Sequence, residues 1–373
     1  MINIGITGQE GFIGSHLFNT LMLSPEKYKI INFSKTYFED TSKLDSFVSN
    51  CNVIVHLAAM NRHIDPQIIY DTNINLVKML IGSLNRSKNK VHLIMSSSTQ
   101  EEGNNLYGKS KKEGRELFEK WAIGGNGQFS GLIIPNVFGP FGKPLYNSVV
   151  ATFCHKLANN EPPVIDNDGQ LELIYVGELV NEITKVINNT PIKSETIKLD
   201  STYNIKVSDL LMILENYKKD YQENGIIPPL KSLFEVNLFN TFRCYMDIPN
   251  HFPVKFKQNV DGRGSFVEVI RLNIGGQVSF STTIPGITRG NHFHTRKIER
   301  FAVIKGEALI QLRKIGSSEI INFELNGNEP AYVDMPVWYT HNIKNIGSEE
   351  LYTIFWINEF YNAEDPDTYF KDV

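Results

Sequence analysis

Short apolar runs alternate with longer amphipathic stretches over the first third of the chain. Ile2–Thr7, Ile30–Phe33, Val53–Leu57, Val91–Met95 and Gly131–Ile134 read as strands with helix-length segments between them. Such a rhythm predicts a parallel, doubly wound sheet. Between residues 145 and 245 the period weakens, and the clearest helix start is Ser208-Asp209 before Leu210, Leu211, Ile213 and Leu214, a cap ahead of an apolar stripe. A small, mostly helical lobe is expected there. Beyond residue 250 the chain turns to short segments rich in Val, Ile, Phe and Tyr: Phe266–Leu272, Gln277–Thr283, Arg300–Ile304, Ala308–Arg313, Glu319–Leu325 and Leu351–Ile357. Closely spaced short strands predict an antiparallel sandwich or barrel. The expected division is therefore 1–245 and 250–373, with Pro249 and Pro253 bracketing the junction.

Composition agrees with two cores, since 373 residues with 41% hydrophobic content exceed the usual size of one. A net charge of -4 and a pI near 6.2 argue against nucleic acid or an anionic membrane as the main partner, because both demand a local excess of Lys and Arg. Cys51, Cys154 and Cys244 show neither disulfide nor metal spacing, which fits a reduced compartment. No apolar stretch is long enough to span a bilayer, and a cytoplasmic location is expected.

Thr7-Gly8-Gln9-Glu10-Gly11-Phe12-Ile13-Gly14 follows the first strand and opens a helix. Gly8 permits the tight turn, Gly11 lets the backbone approach a pyrophosphate, and Gly14 allows close helix packing, with Phe12 and Ile13 in the helix's first turn beside the phosphates. After the second strand, where an NAD-preferring fold places an acid for the ribose 2′-hydroxyl, the chain has Phe33-Ser34-Lys35-Thr36. The missing acid and Lys35, with Ser34 beside it, suit the 2′-phosphate of NADP(H); the alternative is an ordinary solvated lysine.

Ser96-Ser97-Ser98 ends the fourth strand, and Tyr107 and Lys111 lie four apart as the next helix opens, which puts them on one face. Ketone reduction needs a proton on oxygen as hydride reaches carbon, and a neighbouring ammonium makes a phenol a better donor. These motifs, with His56-Leu57-Ala58-Ala59 and Pro135-Asn136-Val137-Phe138-Gly139, resemble the extended short-chain dehydrogenase/reductase family of nucleotide-sugar enzymes over most of residues 1–240. The resemblance implies Ser98 on the substrate carbonyl, with Ser97 a close competitor. It implies Leu57, Ala58 and Ala59 against the cofactor, and Asn136 on the substrate side. Ile133-Ile134 departs from the pattern, where many relatives carry an arginine.

In the last third, Gly286, His292, His294, Glu299 and Gly306 form G-x5-H-x-H-x4-E-x6-G, and His341 follows in P-x-W-x2-H-x3-N. His-x-His on a strand puts both imidazoles on one face, Glu299 enters from the following strand, and His341 is placed to close the site from the opposite side. Three imidazoles and one carboxylate suit Zn, Ni, Fe or Mn, with zinc the first choice; the alternative is a metal-free barrel. The pattern resembles the cupin superfamily, and Asp261–Phe266, Gln277 and Arg289–His292 resemble its sugar-nucleotide 3,5-epimerase branch. In that branch the histidine matching His292 is a base, a role not carried over to a metal ligand.

An α/β Rossmann domain followed by an all-β cupin (jelly-roll) domain resembles the bifunctional capsular polysaccharide enzymes over the whole chain. That resemblance implies a homodimer acting on a UDP-linked 2-acetamido-2,6-dideoxy-4-hexulose, on the route to UDP-N-acetyl-L-fucosamine. Epimerisation at C3 would precede NADPH-dependent reduction at C4, because the C3 proton is acidic only while C4 is a ketone. A competing reading makes the cupin a sugar-binding or dimerisation module held by a structural metal.

Overall fold

The computed structural model describes residues 1–191, 193–262 and 264–373. Two compact units emerge, Met1–Val149 with Asp168–Val207, and Val150–Asn167 with Ser208–Val373.

In the first unit β1 (Ile2–Thr7), β2 (Tyr28–Ile31), β3 (Val53–His56), β4 (Val91–Ser98) and β5 (Gly127–Ile134) alternate with α1 (Phe12–Leu21), α2 (Thr41–Ser49), α3 (Pro66–Arg86) and α4 (Leu106–Trp121). Then come β6 (Asn136–Phe138), α5 (Val149–Ala158), which opens the first excursion into the second unit, β7 (Gln170–Tyr175), α6 (Val176–Asn188), β8 (Glu195–Lys198) and β9 (Tyr203–Lys206). The parallel sheet has the order β2-β1-β3-β4-β5-β8, and β6-β7-β9 form a small second sheet. Period-2 side chains sort onto its faces. Ile4, Ile6 and Val55 meet Leu17 and Leu21 of α1 and Leu179 and Ile183 of α6; Ile54, Leu93 and Met95 meet Phe47, Leu80 and Phe118 of α2, α3 and α4. Winding reverses between β1 and β3, and the carboxyl ends of those strands are where such sheets bind ligands.

The second unit holds α7 (Val207–Tyr217), α8 (Leu233–Arg243) and α9 (Ile248–His251), then β10 (Val254–Lys255), β11 (Gln258–Asp261), β12 (Gly264–Val267), β13 (Gln277–Thr283), β14 (Thr288–Phe293) and β15 (Glu299–Lys305). It ends with β16 (Glu307–Lys314), β17 (Ile320–Asn326), β18 (Ala331–Met335), β19 (Tyr339–Asn345), β20 (Leu351–Ile357) and β21 (Tyr369–Phe370). Two five-stranded sheets result, β10-β18-β15-β20-β13 and β17-β16-β19-β14-β21, beside the hairpin β11-β12. Ala302, Ile310, Leu312, Val333 and Leu351 belong to their shared core.

The units do not divide at 245–250. Residues 208–251 group with the barrel because Tyr221 Oη donates to Asp334 Oδ2 at 2.7 Å, Arg243 Nη2 donates to Met335 O at 3.0 Å, and Ile248 and Phe252 join the barrel core. The strand expected at Phe266–Leu272 stops at Val267, β14 is legible only through its His-x-His motif, and β18 and β19 carry no apolar run that marks them. Those three carry Gly290, Asp334 and His341, which weaken the apolar signal that marks a strand.

Candidate functional site

The glycine turn sits at the winding reversal. Gly8 has φ +76°, and a Cβ there would lie 2.8 Å from Ala58 N, so β1 and β3 approach too closely for any other residue. A Cβ on Gly14 would meet Gly8 O at 2.2 Å, which presses α1 onto the turn. On Gly11 it would meet only Gly8 O, at 3.1 Å, so that side of the turn is open to a ligand. The start of α1, at Phe12 and Ile13, has no side-chain cap and no acid in its first turn, leaving its amide dipoles for an anion. Leu57 and Ala58 are half-buried beside the turn and Ala59 is exposed.

Thr7 Oγ1 lies 2.8 Å from His56 Nδ1 and accepts from Ala58 N at 3.4 Å. Burial, reinforced by the nearby Lys111 charge, pushes His56 down to about 3, so this ring is a neutral brace between β1 and β3. The strand β2 closes at Ile31, two residues before the expected end, and Ser34 caps a 3-10 turn that Lys35 opens as an exposed side chain.

At the end of β4 the two candidate serines have different partners. Ser97 Oγ donates to Glu101 Oε1, whereas Ser98 Oγ accepts from Gln100 N at 3.2 Å and keeps its proton to give elsewhere. Glu101 is buried and also held by Arg115, whose Nη2 and Nε donate to it at 2.9 and 3.0 Å. Sequence reasoning missed this pair, because a Glu in a loop and an Arg on a helix carry no signal until β4 and α4 are packed together.

Helix α4 is set by Asn105, whose Oδ1 accepts from Gly108 N at 2.7 Å. A Cβ on Gly108 would lie 1.9 Å from Gln100 O, so the glycine is what lets Tyr107 approach the serine turn. Burial, then the nearby Tyr146, push Tyr107 up to about 12. Lys111 is fully buried and pushed down to about 8, an effect that Glu101 opposes. The phenol is thus raised, where the sequence led us to expect an ammonium that lowers it, because both groups are withdrawn from water. Asn136 opens β6 as an exposed side chain.

In the second unit His292, His294, Glu299 and His341 converge, with one ligand atom from each within 4.8 Å of all the others. β14 brings His292 and, just past its end, His294; Glu299 begins β15. His341 does not close the site from across the barrel: β14 and β19 are adjacent antiparallel strands, and His341 is the register partner of His292. Glu299 is the ligand from the other sheet. Arg263, in the motif resembling the epimerase branch, lies outside the described residues.

These four residues fit a divalent cation. His294 Nδ1 donates to Asp367 O at 2.5 Å and His341 Nδ1 to Tyr339 O at 3.2 Å. With Nδ1 engaged by a carbonyl, each ring turns its Nε2 toward the cluster. Both Nε2 atoms lie 3.1 Å from Glu299 Oε2, and the His341 atom is buried without hydrogen-bond geometry to any partner. A carboxylate this close to two imidazole nitrogens calls for positive charge at the cluster, which protons on the rings or a cation held by all four residues would supply; three imidazoles with one carboxylate are a divalent-metal ligand set. Although burial alone would raise Glu299, the contacts with His294 and His341 hold its carboxyl well below the usual range. Burial, then its histidine neighbours, push His292 down to about 4, keeping it a neutral potential ligand.

Residues 4–205 match the NAD dependent epimerase/dehydratase family, and residues 259–369 match the polysaccharide biosynthesis C-terminal domain. The chain belongs to the NAD dependent epimerase/dehydratase family. Over its full length it is similar to the capsular polysaccharide assembling protein CapF from Staphylococcus aureus, at 34% identity, with 100% of both chains covered and a TM-score of 0.64. It is 29% identical to the UDP-2-acetamido-2,6-beta-L-arabino-hexul-4-ose reductase of Pseudomonas aeruginosa, over 98% of this chain and 97% of that one. A structure of RMD from Pseudomonas aeruginosa complexed with NADPH, 18% identical over 59% of this chain and 84% of that one with a TM-score of 0.54, shares the fold. No helix among the described residues is long and apolar enough to cross a membrane.

Proposed function

We propose that this protein is an NADPH-dependent sugar-nucleotide 4-ketoreductase with 3-epimerase activity, acting on a UDP-linked 2-acetamido-2,6-dideoxy-4-hexulose in polysaccharide biosynthesis. The observation that carries the reading is the presence, in one chain similar end to end to CapF and to the hexulose reductase, of both the Tyr107–Lys111 constellation and the three-histidine, one-glutamate cluster. The resemblance further implies a homodimer, and the cysteine usage a cytoplasmic location.

In the reductase half the glycine turn, Leu57, Ala58 and Ala59 would hold NADP(H), which when bound would supply the hydride for the C4 carbonyl carbon. Tyr107, protonated at neutral pH, gives its phenolic proton to the C4 oxygen, and Ser98 donates a hydrogen bond to that oxygen. Lys111 steadies the phenolate left behind, and Asn136 lies on the sugar side. Lys35 takes the 2′-phosphate through charge-assisted hydrogen bonds worth roughly 1.5–3 kcal/mol. Lys35→Asp is expected to shift preference from NADPH toward NADH, read as the ratio of kcat/KM values; equal use of both by the wild type would remove this assignment.

In the barrel His292, His294, Glu299 and His341 would hold a divalent metal, zinc by ligand type, which supplies either polarisation of the ketone or rigidity. C3 must exchange its proton before C4 is reduced. Deuterium at C3 in D₂O, read by NMR, is expected for wild type without NADPH and for Tyr107→Phe, with little or none for His292→Ala. Tyr107→Phe should also reduce keto-sugar reduction by about 10²- to 10⁴-fold while cofactor still binds. Four protein ligands, three of them buried and His292 half-buried, are also the mark of a closed structural site. That favours, as the second reading, a single-activity reductase whose barrel binds sugar or partner subunit, and exchange that vanishes in Tyr107→Phe but survives His292→Ala would establish it.

A further inference from the structure

The carboxyl-terminal segment makes more contacts with the metal cluster's strand than a trailing end requires. Tyr369 and Phe370 add a strand to β14, with Phe370 in register with His292 and Tyr369 with Phe293. Tyr369 stacks on Phe293 with ring centroids 5.3 Å apart, and Lys371 N donates to Asn291 O at 2.9 Å. At its root Asp367 is 2% exposed and has φ +41°, a left-handed conformation that a non-glycine residue holds only when its surroundings enforce it.

Its surroundings do so. The Asp367 carboxylate accepts from Thr295 N at 3.0 Å, Thr295 Oγ1 at 2.7 Å, Arg296 N at 3.0 Å and Lys297 N at 2.9 Å. These are three of the four residues that link His294 to Glu299. The carbonyl of the same Asp367 accepts a hydrogen bond from His294 Nδ1. One residue therefore fixes both the turn between two ligands and the tautomer of one of them, whereas His341 is oriented by its own strand through Tyr339 O.

We propose that Asp367 is a positioning residue of the barrel's metal site, aiming His294 Nε2 and setting the His294–Glu299 spacing. A hydrogen bond to the far nitrogen of a ligating histidine orients the ring and raises its basicity, and losing one typically costs 10- to 100-fold in metal affinity. The inference rests on the reading that the cluster binds a divalent cation.

Full-length wild type, Asp367→Ala, Asp367→Asn and His294→Ala would be stripped of metal and titrated with Zn²⁺ against a chromophoric chelator. Each would also be loaded with Co²⁺ for its visible absorption. Asp367→Ala keeps the carbonyl that meets His294 but releases the Thr295–Lys297 turn and the left-handed backbone that aim it, so it is expected to bind Zn²⁺ up to about 10- to 100-fold more weakly than wild type and to shift the Co²⁺ bands, a change that loss of general stability would not produce. Asp367→Asn keeps one acceptor and tolerates the left-handed backbone, so it should fall between the two and decides the matter if the alanine variant fails to fold. Wild-type affinity and an unchanged Co²⁺ spectrum in the folded variants would overturn the role of Asp367 while leaving the metal site intact. Wild type and His294→Ala that bind Zn²⁺ equally weakly would instead overturn the metal reading beneath it.

Discussion

Glu101 shows how one side chain can govern a site it does not touch with substrate. Its carboxylate engages Ser97 and Arg115, which leaves Ser98 as the hydroxyl free to meet a carbonyl, and its charge favours the ammonium of Lys111. Lys111 is fully buried, and its pKa of about 8 lies below that of a lysine in water. Keto-sugar reduction is therefore expected to decline as pH rises through about 8, when the folded enzyme loses that proton. Glu101→Gln removes a group that favours the charged form and leaves Arg115 only its looser partner Glu119, at 3.8 Å, so this limb should move to lower pH. A pH–rate profile of kcat for both enzymes checks it, and superimposable limbs would separate Glu101 from Lys111. For stability the sign is opposite: between the folded value and 10.5 the unfolded chain binds the extra proton, so burial of Lys111 disfavours folding less as pH rises.

At the scale of elements, the serine turn and α4 form one device. The 3-10 turn Thr99–Glu102 carries Gln100, whose carbonyl occupies the space a side chain at position 108 would need. Gly108→Ala must push the helix start away from that turn, at a cost of about 1–3 kcal/mol for overpacking. Because Tyr107 precedes that contact and Ser98 precedes the turn, the displacement should lower kcat more than it raises the KM for cofactor, whose glycine turn is elsewhere in the sequence. Denaturant titration together with steady-state kinetics measures both effects. In the barrel β14 plays the corresponding part: a register shift between Gly290 and His292, with Asn291 at φ +58°, precedes the two histidines it delivers. Bulges of this kind re-aim side chains beside functional sites.

At the scale of the whole molecule, the second unit is larger than its strands. Arg300 and Asp334, both fully buried, are register partners on β15 and β18, joined by hydrogen bonds of 2.7 and 3.0 Å. The Arg300 guanidinium lies 3.7 Å over the Tyr332 ring and donates to Gly225 O, while Tyr221 completes the set from the helical segment. Breaking such a pair leaves an uncompensated buried charge and costs about 3–5 kcal/mol. Asp334→Asn should therefore lower the stability of this unit by about that amount, read by denaturant titration. A fragment beginning at residue 250 lacks Tyr221, Gly225 and Arg243 altogether, and circular dichroism should show it unfolded. A cooperatively folded 250–373 fragment would show that the helical segment is dispensable.

The order of apolar runs by itself determined the class of each half, because period-2 and period-3.6 burial must be written into the chain for a sheet or helix to hide its face. Short motifs likewise marked the glycine turn and the residues of the four-ligand cluster, since residue type and motif spacing are written in the chain. What sequence could not decide was anything set by contacts distant along the chain. The choice of partners for Ser97 and Ser98 needed Arg115, the place of His341 beside His292 needed the pairing of β14 with β19, and the allegiance of residues 208–251 needed Tyr221 and Arg243 to meet β18. Those outcomes depend on which polar groups find each other once water is excluded, and only the packed tertiary structure selects among the partners a linear pattern leaves open.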